Sequence, residues 1–472
     1  MTTAHSTPQA TYDIVIAGAG PAGLTIAIFA ARRGRSVCLL EKAGQVGGAL
    51  LINRGQLSGA GTKLQAQRGI VDTAQDHYDD AMRISKGTSD SAMLELAVRL
   101  QGPLIDWLMD HGFEMEDDMP RVIHGHEAYS IARTYWGKKE GLSILEVLKP
   151  MLDEHVRAGR VTLKLGSDVD GLIIEDGIVC GLKAGGESFR GRNIVLATGG
   201  YGANPDLFAR LHRGATLWPG SYHHATGRGL ELGLGAGGSI VHDEKFLPNF
   251  GGVLDHTLGA PDAPRYRAPG GLVPQDRQPW EIIVNLNGER FFAEDNDSAD
   301  TRSALMMEQP KSCGFVIYDQ AIREVAPTIF TYFDREKAAR FYDPDGSIVT
   351  ADSIAALADA CGIAAAKLEE TVADYNRAAE TGRDRLGRRH MPLPIAQPPF
   401  YALPIASYTV RGFAGLKVDT AFHVLDSDEK PITGLYAVGE VLGSNLSGKG
   451  GVGGMALSPA LAFGRWLGEH LA

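Results

Sequence analysis

Three separated segments carry residue types suited to holding a nucleotide and doing chemistry beside it. The first is Gly18-Ala19-Gly20-Pro21-Ala22-Gly23, after a β-branched apolar run and before an apolar helical stretch. In that setting Gly18 allows a tight turn, Gly20 lets a pyrophosphate approach the backbone, and Gly23 permits close helix–strand packing. The helix start offers free N–H groups and the positive end of its dipole to phosphate. Eighteen residues after Gly23, the next strand-like run ends in Glu41, placed to accept from ribose hydroxyls. Its charge repels a phosphate there, which disfavours NADP. The second segment is Ala197-Thr198-Gly199-Gly200, directly after a strand. The third is Gly434 to Glu440, a strand ending in Gly439-Glu440. Segments this far apart imply one elongated ligand wrapped by distant parts of the chain. No second G-x-G-x-x-G follows a strand and opens a helix, so a nicotinamide has no unit of its own. The pattern points to FAD.

The elements that must position these residues are legible in outline. Residues 12–17 read as a strand, 22–33 as a helix ended by Gly34, and 36–40 as a second strand, a βαβ unit at the N-terminal end. Residues 90–152 read as mostly helical, broken by a polar loop over 117–139. Strands follow at 161–165, 169–175 and 178–183, the last two joined at Asp176-Gly177, and then at 193–197. From about 241 the periodicity weakens. Residues 352–379 read as helix and the Pro-rich 392–404 as a linker. Strands return at 415–418 and 434–438, and the chain closes in a helix over 456–471. The expected organisation is an α/β Rossmann-type (glutathione reductase-like) FAD-binding domain in two parts, 10–240 and 398–472. A capping domain over 241–397 is inserted between them.

Composition sets bounds on partners. The chain has 472 residues with a formal net charge of -11, and no polybasic run, so it has no electrostatic footprint for nucleic acid. Its 59 glycines cluster where backbone could approach a ligand. Cys38, Cys180, Cys313 and Cys361 form no C-x-x-C pair, which argues against a redox disulfide, zinc or an iron–sulfur cluster. Residues 1–11 lack the basic and apolar regions of a signal peptide, and no apolar run is long enough for a membrane span. The expectation is a soluble cytoplasmic protein without metal.

The ordered set of motifs resembles the fumarate reductase/succinate dehydrogenase flavoprotein superfamily, including its 3-ketosteroid dehydrogenase branch. Besides the segments above it includes Glu41-Lys42 with Gly47-Gly48, Gln67-Arg68-Gly69-Ile70, Gly288 to Glu294 (GERFFAE), Pro399 to Ala402, and Ser458 to Gly464 (SPALAFG). The resemblance implies an FAD domain interrupted by a capping α+β domain, an active site between them, and hydride transfer between flavin N5 and a carbon near an activating carbonyl. It implies cofactor contacts at Gly18, Gly20, Ala22, Gly23, Glu41, Lys42, Gly48, Gly61, Thr62 and Val169. Further contacts are implied at Ala197, Thr198, Gly199, Gly439, Glu440, Ala456 and Leu457. No His lies between Glu41 and Gly69, where members with covalent flavin carry theirs, so the FAD is expected to be non-covalent.

Departures from the family pattern bear on the substrate. Fumarate reductases carry an Arg as proton donor four residues after the Glu that Glu294 matches; here Ser298 stands there, with Arg302 one turn on. Their dicarboxylate-clamping His and Arg fall near Val410 and Gly451. Fumarate and succinate thus lose their main anchors. The ketosteroid branch uses a Tyr at the Ser298 position and another in its late glycine-rich loop; here that loop, Ser447 to Gly454, has none.

Desaturating a ketone needs a donor to the developing enolate oxygen and a base for the α-proton. Gly454 falls where the ketosteroid branch has an oxyanion contact. Tyr129 and Tyr135 lie in a loop with Arg133, whose charge would lower a tyrosine pKa and make either a base. Tyr408 and Arg411 follow the linker and should face the flavin, and Arg411 could hold a carboxylate or carbonyl. The resulting expectation is FAD-dependent α,β-desaturation of a cyclic ketone, a keto acid or 3-ketosteroid included, with an external electron acceptor. Two alternatives stand beside it: a reductase of α,β-unsaturated acids, with Arg133, Arg411 and Lys449 as a carboxylate clamp, and a flavoprotein electron-transfer subunit.

Overall fold

The computed structural model describes residues 11–243, 246–260 and 263–472. The strand Thr11–Ala17 is the centre of the first sheet because Ile14, Val15 and Ile16 have no exposed surface and are covered on both faces. It pairs in parallel with Val37–Glu41 on one side and Glu187–Leu196 on the other. Val161–Leu165 and Pro431–Ala437 extend the parallel set outward. Antiparallel strands Val169–Glu175, Ile178–Ala184 and His423–Leu425 complete it. Register matters for function here. Ala17 lies opposite Leu40 and Leu196, and Leu196 opposite Ala437. The glycine segments that follow these strands therefore meet at one edge, at the carboxyl ends where open α/β sheets bind ligands.

The first helix, Pro21–Arg32, starts with Pro at N1 and has no side-chain cap at Gly20. It packs on the last helix, Leu457–His470, through glycines: a Cβ at Gly464 would lie 2.5 Å from the Ala22 carbonyl oxygen. Gly23 is needed for the same reason, since a Cβ there would sit 1.9 Å from the Gly18 oxygen. Gly18 itself has φ +100°, a conformation that side chains oppose.

A second, antiparallel sheet runs in the order Ala263–Arg267, Asn249–Ala260, Phe400–Tyr408, Cys313–Asp319, Ile282–Asn285, with Val349–Ala351 also on Phe400–Tyr408. It has its own core of Val284, Ile317 and Leu403 under Leu357, Leu368 and Tyr375. Two expectations are corrected here. Residues 392–404 are not simply a linker. From Phe400 the chain is a central strand of this sheet. The prolines dominated the composition, while the aliphatic–aromatic run Phe400 to Ile405 decides the packing. The helix expected over 352–379 is two helices, Ile354–Cys361 and Ala365–Thr381, divided at Gly362 with φ +69°. Glu294 holds its own loop: it pairs with Arg290 at 2.6 Å and Arg388 at 3.1 Å and accepts from Ile283 N–H at 3.0 Å. No helix among the described residues is long and apolar enough to cross a membrane.

Candidate active site

A cleft of about 820 Å³ runs from the carboxyl ends of the parallel strands to the second sheet. One half is built of backbone. Gly18, Gly20 and Ala22 from the first turn, Gly48, Ala197 to Gly199, Gly439, Ala456 and Leu457 all line it. A Cβ at Gly20 or Gly199 would meet nothing within 4 Å, so these glycines leave room rather than pack. Thr198 Oγ1 is buried without a hydrogen-bond partner. A bare helix start, open glycine surface and an orphaned hydroxyl fit a dinucleotide.

Glu41 lines this half, and its position is set by the backbone: Oε2 accepts from Ala19 N–H at 2.7 Å and Oε1 from Ala43 N–H at 2.8 Å. Burial raises its pKa, and those N–H groups oppose the rise. Each oxygen keeps a lone pair for a hydroxyl donor. Lys42 and Val169 also line the cleft, Lys42 pairing with Asp168 at 3.1 Å. Glu440 accepts from Gly412 N–H at 2.7 Å and so ties the third glycine segment to the residues after Tyr408. Three expected cofactor residues do not line the cleft. Gly23 acts through packing. Gly61 leads into Thr62, and Thr62 caps the helix Lys63–Gln67 and lies 2.6 Å from the Tyr135 hydroxyl.

The other half is built of side chains. Tyr408, Arg411 and Gly454 line it. Arg411 donates to Ser447 Oγ at 2.7 Å and lies over the Phe413 ring. Among the described residues no carboxylate comes within ion-pair distance of it, and burial lowers its pKa. Gly454 has φ +73°, and a Cβ there would sit 2.5 Å from Ser58 Oγ. Burial raises the Tyr408 pKa.

Tyr129, Tyr135 and Arg133, expected in the site, do not line the cleft. Arg133 is fully enclosed and bound to Asp72 at 2.7 Å and Asp80 at 2.8 Å. Its charge is thereby matched by two carboxylates. Tyr129 donates to the Gly453 carbonyl at 2.6 Å, and burial pushes its pKa far above the ordinary range. Burial does the same to Tyr135. Desolvation outweighs the nearby cation in both. Lys449 is likewise absent from the lining.

Four residues not singled out in the sequence complete the chamber: Arg54, His126, Arg265 and Asp300. Arg54 lies 3.9 Å from the Tyr332 ring centroid and its Nε is buried without a partner. Arg265 donates to the Gly220 carbonyl, while its Nε and Nη1 have no partner. Burial lowers its pKa to about 10. His126 is held neutral, its pKa lowered to about 4 by burial and then by Arg411. Asp300 accepts from Gly451 N–H at 3.0 Å, and burial raises its pKa to about 6. Only His126 had a signal in the sequence, through its place in the loop with Tyr129. The others become neighbours through the second sheet and its helices.

Comparison with known proteins agrees with this construction. Residues 13–457 match the family described as FAD binding domain. The chain is similar to the probable fumarate reductase Ifc3 of Shewanella frigidimarina (strain NCIMB 400), 28% identical over 474 residues, covering 98% of this chain and 75% of that protein. The solved open conformation of a flavocytochrome c3 fumarate reductase superposes with a TM-score of 0.79 at 27% identity, over 98% of this chain and 78% of that one. The 3-ketosteroid Δ1-dehydrogenase of Sterolibacterium denitrificans gives 0.77 at 19% identity, over 98% and 99% of the two chains, and shows a shared fold.

Proposed function

We propose that this chain, which belongs to the FAD binding domain family and to the fumarate reductase/succinate dehydrogenase flavoprotein superfamily, reduces the C=C bond of an α,β-unsaturated carbonyl compound bearing a carboxylate. Homologues are flavin-dependent oxidoreductases acting on C=C or C–C groups. Bound along the glycine cradle, FAD supplies or accepts the hydride.

One observation carries the preference for an acid: Arg411 is a half-buried cation on the cleft with no carboxylate within ion-pair distance among the described residues, Glu440 and Asp300 acting on it only at longer range. A cation partly withdrawn from water gains from a close counter-charge, and a substrate carboxylate supplies one. Arg54 and Arg265, with partnerless N–H groups, support the same reading. Gly454 is the proposed backbone donor to the enolate oxygen. Side chains of Trp136, Tyr332 and Tyr408 along the cleft exclude water from the reacting carbons. Fumarate itself is disfavoured by Ser298 and by Val410 and Gly451 at the expected clamp positions. Desaturation of a neutral cyclic ketone, supported by the Ser458-Pro459-Ala460 ending, would use Gly454 equally well but bring no close carboxylate to Arg411.

The test is ligand discrimination by the oxidised holoenzyme. A saturated keto acid should perturb the flavin spectrum at lower concentration than its amide. Arg411→Gln should remove that preference, weakening the acid by about tenfold to a hundredfold, as expected of a lost charged contact. Equal binding of acid and amide by the unmodified enzyme would refute the carboxylate assignment.

A further inference from the structure

Asp300 differs from the other buried acids of the cleft in that one of its oxygens is committed and the other is not. It enters from the first turn of the helix Ala299–Met307, whose N-cap is Ser298. Its backbone N–H donates to Glu127 Oε1 at 3.0 Å, the same oxygen that accepts from Ser298 Oγ at 2.5 Å. Its Oδ1 accepts from Gly451 N–H in the late glycine-rich loop. Its Oδ2 is enclosed and has no hydrogen-bond partner, yet the residue lines the cleft and is only 7% exposed. An enclosed carboxylate oxygen with nothing to accept from is costly unless it holds a proton or meets a ligand.

The groups around Asp300 come from several elements. Burial is the largest cause of its raised pKa. Gly451 N–H opposes it, Glu127 adds to it, and Lys86 and Arg411 oppose it at longer range. His126 lies beside the same loop: a Cβ at Gly451 would be 2.8 Å from Asp300 Oδ1 and 3.8 Å from His126 Nδ1. Because His126 is held neutral, it brings no charge to stabilise the carboxylate. Arg302, on the same helix, directs its guanidinium to backbone carbonyls, Leu272 O at 2.6 Å and Ser298 O at 3.4 Å. It also lines the cleft, over the Phe250 ring.

We infer that Asp300 is the catalytic acid–base residue of the cleft, exchanging the proton at the substrate α-carbon, and that Glu127 is its positioning residue. This rests on the reading of the site as one for C=C chemistry beside a carbonyl. In reduction, FAD held by the cradle would supply a hydride that forms the β-carbon C–H bond, and the C=C electron pair would move onto the α-carbon and carbonyl oxygen as an enolate. The Asp300 O–H bond then breaks, its proton forms the α-carbon C–H bond, and the carbonyl is restored. The Asp300 carboxylate regains a proton from water. Desaturation is the same path reversed, with the ionised carboxylate as base.

The experiment uses the holoenzyme with (E)-4-oxopent-2-enoate as probe, and its saturated counterpart 4-oxopentanoate. Asp300→Asn keeps an oxygen for Gly451 N–H and a backbone N–H for Glu127, so docking of the helix survives while the acid is lost. Reoxidation of reduced flavin by the enoate should slow by about 10²- to 10⁴-fold. In the unmodified enzyme that rate should fall as pH rises past about 6, because the donating form is the protonated one. This limb should vanish in Asp300→Asn. It should move to lower pH in Glu127→Gln, which removes a charge that raises the pKa. Infrared difference titration supplies a readout independent of turnover: a carboxyl protonating near pH 6 in the unmodified enzyme and absent from Asp300→Asn. Deuterium exchange at the α-carbons of 4-oxopentanoate in D₂O should likewise depend on Asp300. An Asp300→Asn enzyme that keeps its rate and pH limb, or keeps the carboxyl signal, overturns the assignment. If the infrared signal and the exchange depend on Asp300 while the unmodified enzyme is not reoxidised by the enoate, the assignment stands and the reductase reading falls.

Discussion

At the residue scale, charge in this site is decided by who has a partner. Arg133 sits in the loop that approaches the cleft, but its guanidinium is saturated by Asp72 and Asp80 behind the wall. Arg133→Met should therefore cost stability rather than chemistry. It leaves the enclosed Asp72 carboxylate without a cation, while Asp80 keeps Arg83 at 2.7 Å, a loss of about 3–5 kcal/mol, to be read as a fall in the urea midpoint. A loss below about 1 kcal/mol, the scale of an exposed pair, would contradict the buried geometry. Tyr129→Phe removes the hydrogen bond to Gly453 O at 2.6 Å and a longer one with His77 Nε2 at 3.3 Å and should cost about 1–3 kcal/mol while leaving the flavin half-reactions within a few-fold. A hundredfold slower half-reaction would restore the tyrosine to the chemistry. The glycines of the cradle were legible in the sequence because their task needs only backbone, and spacing reports backbone. The acid–base chemistry was not. It depends on residues 126, 300, 411 and 451 converging, and the pKa of a tyrosine depends on burial that no local pattern records.

At the element scale, the N-terminal βαβ unit does most of the positioning. A β-branched run covered on both faces, a Pro at N1 and a Gly past the helix end each agree with the same local structure, which is why the unit could be read in advance. Its tolerance is narrow. Gly23→Ala would drive a Cβ into the Gly18 oxygen at 1.9 Å, so the first turn must shift away from the strand. The purified variant should carry several-fold less FAD per chain by absorbance, with a lower unfolding temperature. Full flavin content and an unchanged transition would show that the packing has slack the structure does not reveal. The strand Phe400–Tyr408 is the opposite case. The prolines before and within it resemble a linker, and only its neighbours, Cys313–Asp319, Asn249–Ala260 and Val349–Ala351, make it central.

At the scale of the whole molecule, two hydrophobic cores face each other across the cleft. Contacts between the two units include Arg267 with Glu140 at 2.9 Å, Ser298 and Asp300 with Glu127, Asp300 with Gly451, and the rings of Trp218 and Tyr266 at 5.3 Å. The cofactor half belongs to the first unit, while Asp300, Arg265 and Tyr332 come from the second. The proposed chemistry therefore requires both units together. The measurement that tests it most directly is anaerobic stopped-flow absorbance in both directions. Dithionite-reduced holoenzyme is mixed with matched unsaturated acids and neutral cyclic enones, and oxidised holoenzyme with the saturated counterparts. The account predicts rapid return of the oxidised flavin band with an unsaturated acid, faster than with its amide or any neutral enone. Rapid bleaching of the oxidised flavin by a neutral cyclic ketone, with unsaturated acids inert, would contradict it and make the enzyme a ketone desaturase.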